Sequence, residues 1–161
     1  MTTLLWSTGT PRRTAVTVLI AWLLAGTLDI TTSVLFYVGP SSARAARLLQ
    51  GIASGLLGAR AFDGGATTAL LGLALHYLIA LIWTLVFLVA FRTLGALRRH
   101  LVLIGIAYGI IVWLVMNLVV LPLSALHARG PYELRNLIQG LLVHMVVVGL
   151  PVAYGIRRFA K

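Results

Sequence analysis

The sequence predicts an all-α, polytopic membrane protein of four transmembrane helices, with one amphipathic helix lying in the outer interface. Three observations lead there. Of 161 residues, 60% are hydrophobic and only 10% charged, against roughly 25% charged in a soluble domain. The apolar residues fall into four long blocks, each near the ~20 residues that cross a hydrocarbon core. The 13 basic residues, set against 3 acidic ones for a formal charge of +10, cluster at the ends of those blocks, where positive charge orients membrane proteins.

The spans run Ala15 to Val38, Ala66 to Phe91, Leu101 to Leu123 and Leu137 to Ile156, the fourth the least generous in length, and one membrane domain covers 1–161. The first span follows Arg12-Arg13 and so invites comparison with a signal peptide. Its apolar run exceeds the usual core of about 7–15 residues and contains Asp29, which favours an anchor. Ala43-Arg44-Ala45 only loosely resembles a cleavage site, and Thr14-Ala15-Val16 does not continue a twin-arginine pattern.

Basic residues set the expected orientation. On one side lie Arg12, Arg13, Arg92, Arg98, Arg99, Arg157, Arg158 and Lys161; on the other lie Arg44, Arg47, Arg60, Arg129 and Arg135. The first side is the richer, so both termini are expected in the cytoplasm of a bacterium, with the chain in its inner membrane. On a soluble chain such an excess would suggest nucleic acid; here it belongs to helix ends, and no nucleic-acid partner is expected. The expected partners are the lipid bilayer and a membrane protein or a second copy of the chain. Cysteine is absent, which excludes disulfides, thiolate catalysis and Cys-based metal sites.

Between the first two spans, 42–62 reads as an interfacial or short re-entrant helix. Leu48, Leu49, Ile52 and Leu56 recur at helical spacing, with Arg44, Arg47, Gln50, Gly51, Ser54 and Gly58 opposite. Gly51-x-x-x-Gly55 would give it a smooth side to press on the bundle, or to close as a lid. Between the last two spans, Pro122 and Gly130-Pro131 break the chain, Tyr132 to Arg135 lead into the fourth span, and Glu133 suits a helix start.

Each span carries one strongly polar residue: Asp29, His76, Asn117 and His144. Counted from the outer end of each span, at ~1.5 Å per residue, all four lie roughly 9–15 Å deep. A charged group at the bilayer centre costs about 2.5–3.5 kcal/mol on insertion scales, so such residues face the bundle and find partners. They are expected to meet. Small residues on the same stripes (Ala25 and Ser33, Gly72 and Ala80, Gly140) would let the backbones approach. The likeness of Gly72-Leu-Ala-Leu-His76 to Gly140-Leu-Leu-Val-His144 is compatible with a parallel two-helix repeat.

The polar cluster has a plain reading and three sharper ones. As interhelical glue, Asp29 accepts hydrogen bonds from a histidine or Asn117, and the protein is a membrane accessory or interaction protein. As a working site, Asp29, His76 and His144 serve a small transporter or a proton- or ion-coupled protein. A divalent metal on His76, His144 and Asp29 is a third possibility, without any short-spacing ligand pair to pre-organise it. A b-type haem between His76 and His144 is the last, hemmed in by Leu and Val neighbours. No cofactor is required by the sequence. His100 and His127 fall in loops, no serine has base and acid partners, and no phosphate-binding Gly-rich loop follows a strand, so enzymatic activity is not expected. Gly105-x-x-x-Gly109 is a packing or dimerisation motif. Trp22, Trp83 and Trp113 lie inside spans and read as packing or lipid-facing.

The run Gln50 to Gly58, the Gly72 to His76 segment, Met116-Asn-Leu-Val-Val-Leu-Pro-Leu-Ser124 and the Gly140 to His144 segment together resemble a group of small uncharacterised inner-membrane proteins of proteobacteria. The resemblance covers nearly the whole chain. The histidines of the second and fourth spans are also faintly similar to the YagU-type domain of unknown function. Both imply a four-helix topology and a bacterial inner membrane; neither implies an activity.

Overall fold

The structure is a computed structural model and describes residues 11–38, 42–127 and 133–159. Five helices make it up. Helix α1 is Pro11–Ser33, continued by a π-helical turn at Val34–Val38; α2 is Ser42–Leu57, continued by a 3₁₀ stretch at Gly58–Asp63; α3 is Gly65–Thr93. Helix α4 runs Leu101–Leu123 with a π turn at Met116–Val120, and α5 runs Leu134–Phe159 with a π turn at His144–Gly149. Four segments are long and apolar enough to cross a membrane: Arg12–Phe36 (25 residues), Gly65–Thr93 (29), Leu101–Leu123 (23) and Leu134–Arg158 (25).

The fourth span is therefore longer than its apolar core suggests, because Leu134, Arg135 and Asn136 continue the helix instead of leading into it. Glu133 stands at the residue before α5, and its Oε2 accepts from Asn136 Nδ2 at 3.5 Å. The predicted breaks at Gly130-Pro131, with Arg129, Tyr132 and Lys161, lie outside the described residues.

The four spans form a ring in chain order, with α1 closing on α5. Between 17% and 28% of each span's most apolar window is buried. The remainder, including Leu24, Leu70, Val89, Leu103, Leu118 and Val146, is exposed and apolar, a surface suited to acyl chains. The core gathers Val18, Ala21 and Ala25 of α1, Phe87 and Phe91 of α3, Tyr108 and Val112 of α4, and Val152 and Ile156 of α5. Aromatic rings close the α3–α4 side: Phe87 meets Tyr108 edge-on at 4.8 Å, and the Tyr108 hydroxyl donates to the Trp83 carbonyl.

Small residues set how near the other helices come. A Cβ on Gly149 would stand 2.0 Å from the Gly105 carbonyl oxygen, and one on Gly109 would stand 2.2 Å from that of His144. The Gly105/Gly109 motif is thus spent on α4–α5 packing within the chain. On the α1–α5 side, a Cβ on Gly155 would meet that of Ala21 at 2.8 Å.

Helix α2 closes the end of the bundle away from the chain termini. Gly72 of α3 lets it lie close, since a Cβ there would come within 1.9 Å of the Leu49 carbonyl oxygen. Gln50 Nε2 donates to Gly65 O at 3.0 Å, Thr68 Oγ1 to Ala61 O at 2.6 Å, and Ala125 N to Gly55 O at 2.9 Å, tying α2 to α3 and to the chain after α4. The face it presents differs from the expected one. Gln50, Ala53 and Ser54 are buried while Leu56 is 61% exposed. Gly51 faces open space, and Gly55 makes only ordinary contact with Ser124. A helix whose outer side meets lipid has no reason to turn all its leucines inward, and while Gln50 bonds to Gly65 of α3, Ser54 Oγ donates back along α2 to Gly51 O at 2.6 Å.

Candidate functional site

Beneath α2 the four spans part around a cavity of about 130 Å³, lined among others by Asp29, Ile52, His76, Trp83, Met116 and His144. Three of the four predicted polar residues thus share one chamber. Asn117 is not among its lining residues: its Nδ2 donates to Trp113 O of its own helix at 2.9 Å, and it is Met116 that faces in. Depth placed Asn117 at the right level, but one residue of helix rotation turns its side chain about 100° from that of Met116. Ile52 brings α2 into the wall.

Each polar group is held in a particular way. His76 Nε2 donates to the Gly26 carbonyl of α1 at 2.8 Å, so in its neutral form Nδ1 carries the lone pair. His144 Nδ1 donates to the Gly140 carbonyl of its own helix at 2.8 Å, which leaves the lone pair on Nε2. The two similar Gly-to-His segments therefore work differently. In one the glycine seats α2 and the histidine bridges to α1; in the other the histidine bonds back along α5.

Asp29 is the anomaly. Its Oδ1 is buried and has no hydrogen-bond partner. Most buried polar atoms are satisfied, and one that is not calls for an explanation. Neutral imidazoles whose single N–H is committed to a carbonyl can only accept, as can a carboxylate. Asp29, His76 and His144 thus offer the chamber acceptors.

That donor set can be tested against the larger groups considered from sequence. Among the described residues no three His, Asp or Glu side chains gather in a way that could hold a metal ion. A haem between the histidines does not fit either, since His76 Nε2 is engaged with Gly26 and 130 Å³ is below the ~300–1,000 Å³ typical of cofactor pockets. The space suits something on the order of four waters or fewer, at ~30 Å³ each.

Some residues that hold the site were not picked out by sequence. Trp22 Nε1 donates to Tyr77 O at 2.7 Å and Thr27 Oγ1 meets the Tyr77 hydroxyl at 2.9 Å, so with His76 they form an α1–α3 ladder flanking Asp29. Trp22 is therefore a packing residue, as one of its two expected roles had it, and an interhelical donor besides. A Trp, a Thr and a Tyr at one level of two adjacent spans were the available signal. His100 and His127 are exposed, as loop residues should be.

No family model, curated protein or solved structure matches this chain. Four long apolar helices make it a small polytopic membrane protein.

Proposed function

We propose that this is a bacterial inner-membrane protein, termini in the cytoplasm, that takes up a proton or a small hydrogen-bond-donating cation on Asp29, with His76 and His144 as auxiliary acceptors. The observation that carries the reading is the buried, unpartnered Oδ1 of Asp29 in a chamber that it shares with both histidines. Glue would require that oxygen to accept from His76, His144 or Asn117, and it accepts from none of them. A carboxylate beside imidazoles inside a membrane is the arrangement of proton and ion pathways.

The chamber is small enough to exclude bulky ligands and is followed, towards the termini, by the apolar packing of Phe87, Tyr108, Val112, Val152 and Ile156. The placement in the inner membrane is supported by the uneven distribution of arginines.

The test is flux into proteoliposomes carrying an internal pH dye, driven by gradients of protons, ammonium or methylammonium. The purified protein is expected to pass protons or one of these cations, and Asp29→Asn to lower that flux at least tenfold while keeping its helical content. Wild-type liposomes as tight as empty ones to every ion would overturn the proposal.

A further inference from the structure

We propose that the groove between the start of α4 and the end of α5 is a binding site for one anionic phospholipid, its phosphate held by Arg157 and Arg158. It lies at the opposite end of the bundle from α2 and does not depend on the reading of Asp29. Leu101, Val102, Tyr154, Arg157 and Arg158 line a cavity of about 390 Å³ there. That is three times the Asp29 chamber, and it opens at the surface.

Its chemistry is divided along its length. Leu101 is buried and forms the floor, while Val102 and Tyr154 stand 49% and 51% exposed as an apolar wall at the end of two spans. Arg157 and Arg158, both exposed, occupy the last turn of α5. Cations at a helix C-terminus already favour the helix dipole, which accounts for the charge but not for a groove joining it to an apolar wall. A lipid with a phosphate at one end and an acyl chain at the other matches both halves.

Charge balance points the same way. The chain has three acidic side chains: Asp29 lines the chamber beneath α2, Asp63 lies at the α2–α3 junction, and Glu133 precedes the far end of α5. None is at the end where Arg12, Arg13, Arg92, Arg99, Arg157 and Arg158 collect. The three acidic side chains thus all lie away from this end, and an anionic head group complements its excess of arginines. Basic pockets between spans at a membrane surface recruit anionic head groups in this way.

The experiment is native mass spectrometry of the full chain, delipidated in detergent and titrated with phosphatidylglycerol or phosphatidylcholine. Wild type is expected to retain one phosphatidylglycerol in clear preference to phosphatidylcholine. R157Q/R158Q should weaken that retention roughly tenfold or more, and so should Val102→Trp, which fills the groove without altering charge. R12Q/R13Q, with the same loss of charge at the same end, should bind as wild type does. Equal loss in R12Q/R13Q, or equal binding of both lipids, would show only diffuse attraction and overturn the proposal. Displacement by millimolar inorganic phosphate would overturn it too, as the site would then read phosphate alone.

Discussion

Asp29 is expected to cost the fold more than it contributes. A buried oxygen without a partner is worth about 1–3 kcal/mol of destabilisation, and nothing in the structure offsets it at Oδ1. Asp29→Leu should therefore raise the thermal midpoint in detergent even though uptake is lost; a fall of several degrees would mean that the carboxylate is bonded after all. The histidines should separate in the same assay. His76→Ala removes a bond between α1 and α3 and should cost about 0.6 kcal/mol, the average for such bonds in membranes. His144→Ala removes a bond within its own helix, where Gly140 is left with its ordinary helical partner, so stability should hold while flux falls.

The helices are positioned by backbone contact at a few glycines, and these give the prediction proper to this scale. Gly72→Ala, Gly109→Ala and Gly149→Ala each drive a Cβ to within 1.9–2.2 Å of a backbone oxygen. Each should cost about 1–3 kcal/mol, as overpacking does, read as a lower unfolding midpoint. Gly51→Ala and Gly95→Ala meet nothing within 4 Å and should leave it unchanged. Part of this was legible beforehand. Gly105-x-x-x-Gly109 declares itself as a packing motif, whereas its partner Gly149 offers only the weaker small-residue pair Gly149-x-x-x-Ala153. The π turns at Met116–Val120 and His144–Gly149 add a further obstacle, because they shift the register on which helical faces are counted. That is why depth along the spans could be read from sequence while the direction of Asn117 could not.

At the scale of the molecule, the spans and their order follow from hydropathy alone, since a bilayer imposes length and apolarity on any helix that crosses it. The inward face of α2 was hidden because its polar side is divided: Arg44 and Arg47 stay exposed, while Gln50 and Ser54 on the same side are buried and hydrogen-bonded. The site was half legible. Polar residues in spans announce themselves, but the bonds that use up each histidine's N–H, and so leave a chamber of acceptors, are made to backbone carbonyls that no residue type reveals.

The chain holds only two aspartates, Asp29 and Asp63, so protein labelled with ¹³C at the aspartate carboxyls should give two carboxyl resonances, assigned with Asp63→Asn. Titrating the protein in nanodiscs at constant pH with ammonium or methylammonium is expected to move the Asp29 resonance in a saturable way, at concentrations that leave Asp63 in place. An Asp29 resonance unmoved by either ion, or one that only follows Asp63, would contradict cation uptake at the buried carboxylate.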